Sequence, residues 1–109
     1  MSTTVIANLE KLLDGPRDGA LLRYSLGNEL FKAGDWAAAA QRLHEAVDRD
    51  PEFSAAWKLL GKTLAENGQI NEAMTVYKRG IAVAEKKGDL QAVKEMRVFL
   101  RRLERRLDE

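Results

Sequence analysis

The chain of 109 residues contains no cysteine. That removes disulfide staples, thiolate catalysis and Cys-ligated metals, and it fits a cytoplasmic protein. There is a single histidine, His44, with no second histidine or cysteine at ligand spacing, so no metal site is expected. A charge imbalance is also missing. The 18 Lys+Arg face 17 Asp+Glu, which leaves the whole chain without an electrostatic preference for nucleic acid or membrane. The longest apolar run, Trp36 to Ala40, is far too short to cross a bilayer. The opening residues Met1 to Ala7 place no basic group ahead of an apolar stretch, so no secretory signal is expected. No stretch alternates as a strand does, and without strands there is no strand-to-helix Gly-rich loop to cradle a phosphate. Carboxylates are plentiful, but they stand at helix-surface spacings that favour ion pairs over acid–base work. No residue constellation points to an enzyme, and no cofactor is implied.

What is present is helix, and it repeats. Hydrophobic residues make up 45% and charged residues 32%, a balance that argues for one folded helical domain over residues 1–109. Leu26-Gly27 returns as Leu60-Gly61, Gly34 as Gly68, Ala39 as Ala73, and Ala46 as Gly80, each pair separated by 34 residues. A fixed period of that size marks a helical array.

Local pattern supplies the elements in order. Residues 3–14 carry Ile6, Leu9, Leu12 and Leu13 as an apolar stripe that Gly15-Pro16 ends. Asp18 offers an N-cap to a helix with the stripe Leu22, Leu26, Leu30 and Ala33, stopping at Gly34. Asp35 caps an alanine-rich helix from Trp36 to Arg49, closed by Pro51. Residues 53–67 and 70–87 repeat the two helix types, and Gly88-Asp89 makes a break and a cap. A last helix over 90–107 carries Val93, Met96, Leu100, Leu103 and Leu107 at alternating spacings of three and four.

The second copy reads Trp57-x-x-Leu60-Gly61-x-x-Leu64, then Ala73-x-x-x-Tyr77. The first reads Leu26-Gly27-x-x-Leu30, then Ala39-x-x-x-Leu43, Ala46 and Pro51. This resembles the tetratricopeptide repeat (TPR) signature. The match has departures: Arg23 stands in the place of the Trp, Leu30 and Leu64 replace a Tyr, and Glu85 replaces the closing Pro. The last substitution predicts a second-copy helix that runs on. The resemblance implies an all-α fold, a right-handed α-α superhelix of helix-turn-helix units. Its parts would be an N-terminal capping helix over 3–14, repeat 1 over 20–53, repeat 2 over 54–87 and a C-terminal capping helix over 89–107. Two repeats leave both ends of the stack bare, and arrays need about three units for stability, so the flanking helices are expected to cover those ends.

The resemblance also implies a protein–protein interaction module, an adaptor or scaffold that grips a partner peptide or helix in a concave groove. On the face opposite the core stripe, the first copy carries Leu21, Tyr24, Asn28, Phe31 and Lys32, and the second carries Lys58 and Lys62 beside Ala55, Ala65 and Glu66. Lys58 and Lys62 repel at i, i+4, and an anionic guest would relieve that. An acidic peptide or a C-terminal carboxylate is therefore expected on these lysines, oriented by Asn28 and anchored on Tyr24 and Phe31. The plainer alternative has the lysines keeping the groove soluble while Leu21, Tyr24 and Phe31 pack the N-terminal helix. The carboxylate clamp of TPR co-chaperones is matched only at Asn28; Tyr24 and Leu59 stand where a Lys and an Asn are expected, so chaperone-tail binding is not. A rival surface is the last helix, where Lys94, Arg97, Arg101, Arg102, Arg105 and Arg106 meet only Glu95 and Glu104. It could make an oligomerisation or nucleic-acid-binding module, with the chain a monomer or a weak homodimer through that helix. Few aromatics accompany the arginines, and nucleic acid is not the expected partner.

Overall fold

The computed structural model describes residues 2–108. The chain forms α1 (Ser2–Glu10), α2 (Ala20–Lys32), α3 (Trp36–Arg49), α4 (Ser54–Glu66), α5 (Ile70–Lys87) and α6 (Leu90–Asp108). Among the described residues there is no strand. The helices stack as an α-α superhelix in which α2/α3 and α4/α5 are the two repeated pairs.

The turns explain why α2 and α4 stop where they do. Gly34 and Gly68 both sit at φ +79, a left-handed conformation that an L side chain resists. In each case the glycine N–H donates three residues back, and the next N–H donates five back, to Leu30 at 3.0 Å and to Leu64 at 2.9 Å. That double bond pattern satisfies carbonyls the helix end would otherwise leave unpaired. The carboxylates of Asp35 and Asp89 then open the following helices, accepting from the N–H groups of Ala38 at 3.4 Å and Ala92 at 3.2 Å.

Two boundaries differ from expectation. The N-terminal helix ends at Glu10 rather than at residue 14, and residues 11–14 form turns. Asp14 takes φ 65 there, which stops a helix that the apolar stripe alone would have continued. Asp18 does not cap α2. Gly19 holds that position with no side-chain cap, and the Asp18 carboxylate instead accepts from the Arg23 guanidinium and from the Asp14 N–H at 2.7 Å. The helix α5 spans 18 residues against 14 for α3, the run-on that the missing proline predicted.

Close approach inside each pair depends on glycine. A Cβ on Gly27 would lie 2.6 Å from Leu43 Cγ, and one on Gly61 would lie 2.5 Å from the Tyr77 ring. The main core runs from Ala40 and Leu43 through Trp57, Leu60 and Tyr77 to Met96 and Leu103. A second cluster, Leu26, Leu30 and Ala39, is covered by Ile6, Leu9 and Leu13 of α1 and its turn. At the far end α6 lies against α5 and α4 and buries Ala92, Val93, Met96 and Leu103.

Candidate functional site

The first-type helices α2 and α4 lie side by side, and α6 takes the next place in the same layer. Together they wall one groove. Its first section, about 190 Å³, is floored by Tyr24, Leu59 and Phe99 and edged by Lys58, Lys62 and Glu95. Its second section, about 430 Å³, lies between α4 and α6, with Tyr77, Phe99 and Leu103 inside and Lys62, Glu66, Arg102 and Arg106 at the edge. Lys62 and Phe99 line both sections, so the two are continuous.

The sequence-predicted residues are distributed unevenly around this groove. Tyr24, Lys58 and Lys62 line it. Phe31 reaches it indirectly, because the Lys62 ammonium stands over its ring at 5.3 Å from the centroid. Asn28 is half-buried and lines neither section. Leu21 is 69% exposed and also lies off the lining. Lys32 is an exposed partner of Glu29 at 3.0 Å. Tyr24 packs on Phe53 with centroids 4.8 Å apart, which fixes its ring at the groove wall.

The lysine pair is not the electrostatic unit that its spacing suggested. Lys58 is bound by Glu95 of α6 at 3.2 Å, so its charge is already met. Lys62 makes no ion pair among the described residues. The other cations of the groove, Arg102 and Arg106, come from α6, and Arg102 stands over Phe99 at 5.7 Å. Sequence reasoning missed these contributors, although Glu95, Phe99, Arg102 and Arg106 follow a four-three-four spacing that puts them on one helical face. The Tyr77 ring stacks on Phe99 at 5.9 Å. Burial, with the Glu66 charge adding to it, raises the Tyr77 hydroxyl far above the ordinary phenol range, and it stays a neutral donor.

Away from the groove, Arg23 carries a polar cluster of its own. It is 5% exposed and binds Asp18, Glu45 at 2.8 Å and Asp14 at 3.4 Å. Hydrogen bonding from Arg23, and then from the Asp14 amide, holds the Asp18 carboxyl well below the usual carboxylate range. For Glu45 burial pushes upward, but hydrogen bonds from Arg23 and Arg42 outweigh it and lower the carboxyl. The same contact recurs one repeat later in different chemistry. Trp57 occupies the place of Arg23, and Arg79, in the place of Glu45, stands 5.0 Å from its ring. One copy joins its helices by an ion pair, the other by a cation over an indole. Among the described residues no three His, Cys, Asp or Glu side chains gather as a metal site would need.

Comparison with known proteins agrees with the repeat architecture. A family model described as "Tetratricopeptide repeat" matches residues 30–96. A TPR repeat-containing protein of Pseudomonas aeruginosa is 46% identical over 101 residues, covering 93% of this chain and 96% of its own. The solution structure of a Bordetella parapertussis protein superposes with a TM-score of 0.82 at 42% identity, over 94% of this chain and 89% of that one. A tetratricopeptide repeat domain protein of Salinibacter ruber gives 0.74 at 26% identity, over 84% and 91%.

Proposed function

We propose a function from one premise: the chain belongs to the tetratricopeptide repeat family. Proteins of this family generally act as protein–protein interaction modules. On that premise the chain is a small adaptor or scaffold that holds an acidic peptide segment of a partner protein in its concave groove. The observation that carries this reading is the groove between α2, α4 and α6, apolar inside and edged by Lys62, Arg102 and Arg106. The flanking helices α1 and α6 act as caps, and α6 doubles as a wall.

The rival use of α6, pairing with a second copy, would need its apolar stripe. Val93 is 3% exposed, Met96 is sealed and Leu103 is 5% exposed, all facing the last repeat. That burial supports capping over coiled-coil pairing. Among the described residues no helix is long and apolar enough to cross a membrane.

The test is capture from a nuclease-treated lysate of the source cell. The baits are wild type and the double variant Lys62→Glu, Arg102→Glu, with circular dichroism verifying the fold of each. A protein retained by wild type and lost by the variant is expected. A partner held equally by both would place the binding surface elsewhere and overturn the reading.

A further inference from the structure

The two sections of the groove differ in a way that selects the guest. In the first, the one added cation, Lys58, is neutralised by Glu95 from the opposite wall at 3.2 Å. In the second, Lys62, Arg102 and Arg106 stand against Glu66. Positive charge without an internal partner therefore collects at the α4–α6 end, around a chamber of about 430 Å³ lined by Phe99 and Leu103. That volume accommodates a large side chain such as Phe or Leu, and the apolar lining favours one.

A second observation also points to a guest here. Tyr77 is 2% exposed and lines the chamber, and its hydroxyl has no hydrogen-bond partner among the described residues. The only sealed and unpartnered side-chain polar atom among those residues is Ser54 Oγ, so the Tyr77 hydroxyl keeps contact with solvent, and the chamber is the cavity that Tyr77 lines. A phenol in a cavity wall with no protein partner can donate to an acceptor on a guest.

Resting on the interaction reading above, we infer that the chamber between α4 and α6 is the recognition pocket for one apolar or aromatic side chain flanked by carboxylates. The apolar group enters between Phe99 and Leu103. One carboxylate takes the Tyr77 hydroxyl, and its neighbours take Lys62, Arg102 and Arg106. A polyanion fits less well, because Glu66 and Glu95 also line the groove and would repel a continuous phosphate backbone. Lys58 contributes nothing to the guest.

Selection of random peptides displayed on phage against the purified full chain tests this, followed by fluorescence anisotropy with the enriched peptide. Enrichment of an aromatic or large aliphatic residue with two or more Asp or Glu within four positions is expected. Arg102→Glu with Arg106→Glu should weaken binding by tenfold or more, the scale of a lost charge-assisted hydrogen bond. Tyr77→Phe keeps the ring against Gly61 and should still cost roughly tenfold. Lys58→Ala should leave affinity within about twofold, since its charge already has a partner.

Enrichment of peptides without acid, or no enrichment, overturns the inference. So does a ten-nucleotide oligothymidylate that binds more tightly than the peptides and loses affinity in the arginine variant. If enriched peptides lose affinity to Lys58→Ala or Tyr24→Ala but not to the chamber variants, the groove reading survives and the chamber assignment falls. If no groove variant matters, both fall.

Discussion

Arg23 shows how far a single residue can depart from a repeat without breaking it. The position faces the partner helix of its own pair in both copies, and either an ion pair with Glu45 or a Trp57–Arg79 contact joins the two. Arg23 also binds Asp18 and Asp14, so the linker after α1 is tied to α2 by charge. The Asp18 carboxyl is depressed in the folded chain, so its contribution is complete above the ordinary carboxylate value of about 3.9. It is lost as pH falls through the folded pKa, because protonation then favours the unfolded state. Asp18→Asn should lower the thermal midpoint at pH 7. The gap to wild type should narrow steadily below about pH 4. Melting curves at pH 7, 5, 4, 3 and 2.5 decide it, and a gap that widens in acid would refute the ion-pair account. Glu45 shares Arg23 with Asp18, so the difference between the curves reports the Asp18–Arg23 contact together with its effect on Glu45. Ser54 makes the opposite case. It is 3% exposed, its hydroxyl has no partner, and the equivalent residue of the first copy is Ala20. Ser54→Ala removes an unsatisfied buried group at almost unchanged volume, and should stabilise by about 1 kcal/mol. A rise in the urea midpoint at constant m-value would show it.

At the scale of elements, glycine propensity and glycine packing pull in opposite directions. Replacing a mid-helix glycine by alanine gains about 1 kcal/mol of helix propensity, while forcing a methyl into a full core costs about 1–3 kcal/mol. The contact distances decide the sign. At Gly61 the new carbon meets a buried aromatic ring at 2.5 Å, and at Gly27 it meets a leucine branch carbon at 2.6 Å. Neither neighbour is a flexible chain end, so both Gly→Ala changes should destabilise. Gly61 should cost more, because the Tyr77 ring is flat and stacked on Phe99 and can only move as a body. Denaturant midpoints falling in the order wild type, Gly27→Ala, Gly61→Ala are the expected result.

The helices themselves were legible because their signals are local: apolar stripes, left-handed glycines and acidic caps. The failures came from side-chain contacts and backbone turns that a stripe does not encode. Asp18 stands where a cap is wanted but is drawn to Arg23, five residues on, and α1 stops at Glu10 with Asp14 at φ 65, neither of which an apolar stripe encodes. The groove was only half legible for the same reason. Tyr24, Lys58 and Lys62 could be placed from the repeat, but the Lys58–Glu95 pair spans 37 residues, off the 34-residue period. The longer α5 shifts the register before α6 begins, so extending the period would have set the wrong residues opposite α4.

For the whole molecule the question is how the outer faces of the two pairs are covered. The chain extends 42 × 30 × 19 Å, so much of each pair faces an end of the stack. The two end helices protect those faces unequally. From α6, Val93, Met96 and Leu103 are buried, each worth about 1.5–3 kcal/mol on removal from water. Together that is on the order of 5 kcal/mol before the entropy of ordering the helix, comparable with the total stability of a small domain. In α1, Ile6 and Leu9 are only half-buried. A chain ending at Gly88 should therefore lose the cooperative transition or aggregate, since Tyr77, Ile81 and Ala84 would be left facing water. A chain beginning at Lys11 should keep a single transition and lose about 1–2 kcal/mol, the value of partly burying two aliphatic side chains. Urea melts followed by circular dichroism separate these outcomes. If the chain ending at Gly88 melts as cooperatively as wild type, α6 is not needed to close the stack and would be free to serve as a separable basic element. If it collapses as expected, the wall of the groove and the end of the core are one helix, whose exposed Arg102 and Arg106 face the guest while its buried Val93, Met96 and Leu103 close the stack.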